Sequence, residues 1–214
     1  MMTIEFWVEG VTPILLHRAT EEALMGDVRK NTIQEREDPR TIAGKAVYRI
    51  EGGQLAFPGA AFARMMREAG GAHKARGSRK SLKYIVPAAC LITTELCGFF
   101  LKDRKTPITD FEVDARPVTI PATKGRVMRY RARLNEWTLV ARLRLNDAIM
   151  AENIARQLLI EGCEQIGLGD FRPDKGGPFG CSQVVSWDVV SAQKPKTEAQ
   201  KRNGVEEKRS RDPS

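Results

Sequence analysis

"RVMRYRARLNEWTLVARLRL", residues 126–145, alternates apolar and basic side chains through two runs separated by Asn135 and Glu136. In the first run Met128, Tyr130, Ala132 and Leu134 lie on one side and Arg129, Arg131 and Arg133 on the other. In the second, Trp137, Leu139, Ala141, Leu143 and Leu145 oppose Arg142 and Arg144. A period of two marks a half-buried β-strand. A tight turn at Asn135–Glu136 predicts an antiparallel hairpin with Leu134 against Trp137, Ala132 against Leu139, Tyr130 against Ala141 and Met128 against Leu143. Every apolar side chain then shares one side, so the register is self-consistent. The same register sets Arg129 opposite Arg142 and gathers the arginines on one face, where Glu136 is the nearest acid. Like charges directly opposite one another destabilise a sheet. Such a face needs an anion, and arginine is the side chain best shaped for phosphate.

The flanking sequence completes an α+β pattern. "TIEFWVEG" (3–10) alternates Ile4, Phe6 and Val8 with other residues and reads as a half-buried strand, which "TPILLHR" (12–18) continues beyond a break at Pro13. "AVYRIEGGQLAFPG" (46–59) reads as a small hairpin turned at Gly52–Gly53. Pro58 then opens a helix in which Phe62, Met65, Met66 and Ala69 recur at helical spacing. "AACLITTELCGFFL" (88–101) predicts a buried strand, and "DFEVDARPVTI" (110–120) another, interrupted at Pro117. Asp147 is placed to cap a long helix carrying Ile149, Ile154, Leu158, Leu159 and Ile166, and "CSQVVSWDVV" (181–190) is the last strand. Residues 26–45 are charged and aperiodic, the mark of a long loop or a partly ordered insertion. The expected organisation is one α+β domain over residues 1–191, with insertions at about 26–45 and 72–83, then a disordered basic tail over 192–214.

A net charge of +8 on 214 residues favours an anionic partner, nucleic acid being the commonest. No run approaches the ~18–20 apolar residues of a membrane span, and "MMTIEFWVEG" does not read as a signal peptide. A soluble, cytoplasmic protein with no membrane partner is therefore expected. Cys90, Cys97, Cys163 and Cys181 lack metal-ligand spacing, which argues against zinc and for reduced thiols. No metal and no cofactor are expected.

Two further segments carry chemistry. "HKARGSRKSLK" (73–83) offers Lys74, Arg76, Arg79, Lys80 and Lys83 with no acid among them, and suits a phosphodiester backbone. "IGLGDFRPDKGGPFGCSQVV" (166–185) is rich in glycine and carries Arg172 and Lys175. It lacks the P-loop pattern, and it follows a helix and precedes a strand, the reverse of a Rossmann turn. What remains is a loop whose bare backbone, at Gly169, Gly176 and Gly177, lets another backbone approach closely. Asp170 reads as a brace that accepts bonds from neighbouring amides.

A strand, a helix, central strands, a second helix and a glycine-rich loop before the last strand resemble the RAMP superfamily of CRISPR-associated RNA-binding proteins. "GVTPILLHR", "FPGAAF", "VMRYRARLNEW" and "GLGDFRPDKGGPFG" are similar to a group of small proteins encoded in phage and mobile-element genomes, a likeness that spans residues 3–190. The resemblance implies a ferredoxin-like, RRM-related βαββαβ fold, a glycine-rich loop that contacts RNA, and subunits that assemble along a strand. "FGCSQV" departs from the pattern where a basic–aromatic pair is expected after the last glycine.

These readings converge on a non-catalytic, sequence-tolerant binder of single-stranded RNA or DNA. Its contacts would be Lys74, Arg76, Arg79, Lys80, Lys83, Arg129, Arg131, Arg133, Arg142, Arg144, Gly169, Arg172, Lys175, Gly176 and Gly177, with Trp7, Tyr130 and Phe171 as stacking candidates. Two alternatives stay open. One is a metal-independent endoribonuclease of the RAMP type with His17 as its weak catalytic candidate; the other is a structural protein whose basic face meets an acidic protein.

Overall fold

Ile4, Phe6 and Val8 are fully buried, as the alternation of the first strand predicts. The computed structural model describes residues 1–18, 37–75, 77–119 and 125–192. In them β1 (Met2–Gly10), β6 (Leu96–Phe100), β9 (Thr138–Leu145) and β10 (Ser182–Ala192) form the centre of an antiparallel sheet. Their order is β10-β1-β9-β6. Helix α2 (Ala60–Ala69) lies between β1 and β6 in the chain, and α4 (Glu152–Glu161) between β9 and β10. This is the ferredoxin-like βαββαβ arrangement. The predicted helix face of α2, with Phe62, Met65, Met66 and Ala69, is buried. Phe62 meets Phe6 edge to face at 5.3 Å between ring centres. The two helices pack closely where Gly162 follows α4: a Cβ there would stand 2.9 Å from Met65 Cγ.

The small hairpin forms as expected. β3 (Tyr48–Arg49) pairs with β4 (Leu55–Pro58), which extends the sheet beyond β6. The predicted strand over 88–101 is instead two, β5 (Cys90–Ile92) and β6, both laid along the same edge of β9. A short helix α3 (Val86–Ala89) leads into β5. Helix α1 (Pro39–Lys45), capped by the Asp38 carboxylate, occupies the end of the expected 26–45 insertion. Residues 19–36 of that region, Arg76 and the 193–214 tail lie outside the described residues. The helix expected from Asp147 starts only at Glu152, and Asp147 instead meets the N-terminal amine at 2.9 Å.

The largest correction concerns residues 126–145. β8 (Arg126–Leu134) and β9 are not a hairpin. β9 pairs with β1 and β8 with β2 (Ile14–Leu16), so that Glu9 faces Thr138 and Ile14 faces Leu134. Residues 126–145 are thus one long bent strand, paired along residues 2–16 and passing from the main sheet to a second sheet of order β2-β8-β7. β7 (Glu112–Thr119) runs straight through Pro117, which an edge strand tolerates. The bend is made by Trp137. Its fully buried indole fills the space over Gly10, where a Cβ would stand 2.3 Å from Nε1, and that N–H donates to Thr12 O at 3.0 Å. Arg129 therefore faces Arg116 of β7, not Arg142.

Candidate nucleic-acid interface

The glycine-rich loop is first of all a structural corner. Leu168 N–H donates to Gly180 O (2.9 Å), Gly180 N–H to Pro13 O (2.8 Å) and Asp170 N–H to Leu15 O (2.9 Å), stitching the loop to itself and to β2. Gly167, Gly169, Gly177 and Gly180 are all closed in by the chain itself, and a Cβ at Gly169 would stand 2.6 Å from Leu15 O of β2. A Cβ at Gly177 would stand 1.8 Å from Phe171 O, and one at Gly180, where φ is +74°, 1.8 Å from Leu168 O. The backbone that approaches Gly177 and Gly180 is the loop's own. Gly176 differs: its φ is +72°, and a Cβ there would meet nothing within 4 Å.

The loop docks on the arginine side of β8. Arg131 is buried, and its Nε donates to Asp170 Oδ2 at 2.6 Å, while Asp170 Oδ1 accepts the Phe171 N–H at 2.9 Å. Asp170 thus braces the loop as expected, and it also bolts the loop to the strand. Arg116 holds both oxygens of the buried Asp114 carboxylate at 2.9 and 2.8 Å, and its guanidinium lies 4.4 Å over the Phe179 ring. Arg133 reaches the same ring at 6.0 Å and donates to Asn135 Oδ1 at 2.7 Å. Arg129 is exposed, directly across from Arg116, and has no carboxylate partner among the described residues. The unbroken arginine array expected from the sequence is therefore divided: on β8 Arg131 is ion-paired to Asp170, Arg133 bonds an amide oxygen, and Arg129 has no acid.

The other expected contacts fall elsewhere. Arg142 lies on the main sheet and meets Glu5 at 2.9 Å; Arg144 is exposed opposite Thr3 and Leu91. Arg172 donates to Gly169 O at 3.0 Å and to Asp174 at 2.9 Å, and Lys175 lies 3.5 Å from the same carboxylate. The 73–83 loop is anchored on the helices: Lys83 meets Glu68 of α2 at 2.7 Å, and His73 meets Glu161 of α4 at 2.5 Å. Lys74 and Ser81 form an isolated bridge that leaves Lys74, Arg79 and Lys80 exposed. Lys83 and His73 thus find acids elsewhere in the chain, and Lys74, Arg79 and Lys80 have no carboxylate partner among the described residues. Of the stacking candidates, Phe171 is exposed, Tyr130 is half-buried and packed on the core, and Trp7 leans on Phe100 at 5.6 Å.

Beside the docked loop lies a cleft of about 250 Å³ lined by Leu16, His17, Arg18, Tyr48, Phe57, Asp170 and Arg172, among others. His17 is exposed at its mouth. The protein bulk around the ring holds its pKa below the ordinary 6.5, with Arg129 and Arg131 acting in the same sense and Asp170 against them. Arg18 lies 4.9 Å over the Tyr48 ring. Sequence reasoning missed Arg18, Arg116, Tyr48 and Phe179. The alternation of Asp114 and Arg116 in "DARP" was the available signal for one of them. Burial pushes the thiols of Cys90, Cys97 and Cys163 up to about 11, 12 and 12, far from nucleophilic use at neutral pH.

Among the described residues no group of three or more His, Cys, Asp or Glu side chains could hold a metal ion, and no helix is long and apolar enough to cross a membrane. No family model matches the chain, and no curated protein matches it. A solved chain titled "Type IV-B CRISPR Complex" is similar over 95% of this chain and 99% of its own length, at 13% identity and a TM-score of 0.45.

Proposed function

We propose that the chain binds single-stranded nucleic acid, without cutting it and with little regard to sequence, on the face shared by β7, β8 and the glycine-rich loop. The observation that carries this reading is the Arg116–Arg129 pair. Two guanidinium groups stand across from one another, Asp114 neutralises only the first, and the second faces solvent beside His17. Like charges in register destabilise a sheet, and a phosphate at Arg129 removes the conflict. Arg18 at the cleft and Lys175 on the loop, 3.5 Å from Asp174, are the further cations offered to the strand. Because so many arginines are already paired, the contact is modest. About three phosphates neutralised on a single strand give a slope near −2 in log affinity against log salt. Copies lining up along one strand belong to the same proposal, and would appear as cooperative binding on long oligonucleotides.

The test is a salt titration with single-stranded RNA, single-stranded DNA and duplex DNA. Micromolar or tighter binding at low salt with that slope supports the reading; no binding at low salt leaves the acidic-protein partner in its place. His17 favours a second reading. A histidine kept neutral at pH 7, at a cleft with arginines nearby, suits a base that activates a ribose 2′-hydroxyl. Cleavage of RNA but not of DNA, lost in His17→Ala, would establish it.

A further inference from the structure

The cleft between the exit of β2, the β3–β4 hairpin and the glycine-rich loop is lined by two unlike sets of side chains. Leu16, Val47, Phe57 and Pro58 are apolar; Arg18, Asp170 and Arg172 are charged, and His17 is polar. Its volume of about 250 Å³ lies just below the range of pockets that enclose drug-sized molecules, so its occupant is a fragment. A nucleotide has the same division, a flat base with apolar faces and an anionic phosphate. Arg18 is exposed at the mouth, where a phosphate stays hydrated. Asp170 is the carboxylate in the lining. Each of its oxygens takes one bond from the protein, Phe171 N–H on Oδ1 and Arg131 Nε on Oδ2. Each keeps a further lone pair, and 34% of the side chain remains accessible.

We propose that this cleft holds one extruded nucleotide of a bound strand, its base against the apolar side chains, its phosphate at Arg18 and an exocyclic amino group donating to Asp170. The inference rests on the nucleic-acid reading and adds a specificity to it. Cytosine presents an N4 amino donor where uracil presents the O4 acceptor. Asp170 therefore accepts cytosine and repels uracil, so one position in an otherwise sequence-tolerant contact is read.

The chain has two histidines, which makes the test direct. The ring resonances of His17 and His73 are followed by NMR while the full-length protein is titrated with 5′-CMP, 5′-UMP and inorganic phosphate. The expected result is a saturable shift of His17 with His73 unmoved, CMP binding roughly fivefold or more tighter than UMP. Asp170→Asn, which can donate to O4, brings the two within about twofold; Arg18→Ala weakens both alike. Equal affinity for CMP and UMP, or a shift reproduced in full by inorganic phosphate, overturns the base-reading cleft. A parallel titration with 12-mer oligonucleotides separates the two claims. Oligonucleotide binding with His17 untouched by every mononucleotide sinks the cleft and leaves the interface standing; no binding of either sinks both.

Discussion

β8 and β9 are written in nearly the same residues, and their arginine sides meet different surroundings. Both alternate aliphatic side chains with arginine. In β9 the aliphatic side faces the helices, and the arginines stand on the opposite, open side, where Arg142 faces Glu5 of β1. In β8 both sides are covered toward its end: Ala132 and Leu134 are buried in the core on one side, the glycine-rich loop seals Arg131 on the other, and Met128 and Arg129 are both exposed. Alternation decides which side chains share a side, but not what that side meets. In the proposed function an arginine-rich strand takes an anion where the acids across from it run out, at Arg129 of β8; Arg144 of β9, opposite Thr3 and Leu91, also has no acid across from it.

The comparison breaks most visibly at the loop that covers β8. Gly180→Ala adds a Cβ 1.8 Å from Leu168 O at a φ of +74°. It should cost about 3 kcal/mol or more, read as a lowered urea midpoint. Gly176→Ala, with the same backbone conformation and open space, should cost only about 1–2 kcal/mol. Next in size is the bolt itself. Asp170→Ala strands Arg131, whose side chain is 9% exposed, and should cost about 2–3 kcal/mol. A fully buried pair would lose more, but a third of Asp170 is open to water, so solvent screens the pair. Arg142→Ala removes a pair exposed at 60% and 31%, and should move stability by no more than about 0.5 kcal/mol. Similar losses for Asp170→Ala and Arg142→Ala would mean that the two strands are not different after all.

Much of the fold was legible. The burial of Ile4, Phe6 and Val8, the buried face of α2, the Gly52–Gly53 hairpin and the path β1–α2–β6–β9–α4–β10 follow from periodicity and turn chemistry, which are local. The partner of β8 was not. The switch of parity at Asn135–Glu136 is satisfied by a two-residue hairpin turn, and equally by a bend in one continuous strand, because both exchange the sides of the alternation. Trp137 decided for the bend by finding a seat over Gly10, a contact between residues more than a hundred apart in sequence. The site was legible in part for the same reason. That Arg129, Arg131 and Arg133 share a side is a local fact. That Asp170 neutralises one of them, that Arg116 joins them, and that Glu5 withdraws Arg142 are matters of which strands meet.

Binding sharpens the contrast. Arg129→Ala should weaken oligonucleotide binding several-fold and make the salt slope shallower by about 0.7, the share of one phosphate on a single strand. Arg142→Ala and Arg144→Ala, on the other sheet, should leave both affinity and slope unchanged. Equal losses from all three would return the interface to a single arginine face.

The smallest effect expected is one of pH, and it belongs to the β8 side alone. His17 has its pKa below 6.5 in the free protein, so near pH 7 it is neutral and adds nothing to anion binding. Its surroundings are mixed: Arg129 and Arg131 oppose its protonation and Asp170 favours it. A phosphate settling at Arg129 offsets those positive charges and raises the pKa, so protonation and binding assist each other. Affinity should rise a few-fold as pH falls from 7.5 toward 5.5 at fixed ionic strength, and the rise should vanish in His17→Gln. Folding runs the other way. A histidine whose folded pKa is depressed binds its proton more readily when unfolded, so its contribution to stability is intact above 6.5 and declines below it. His73 is bonded to Glu161 on the helical side of the molecule, so His73→Gln should leave the pH dependence of binding as it was. If His73→Gln abolished that dependence and His17→Gln did not, the anion would have to lie on the 73–83 loop rather than on β8.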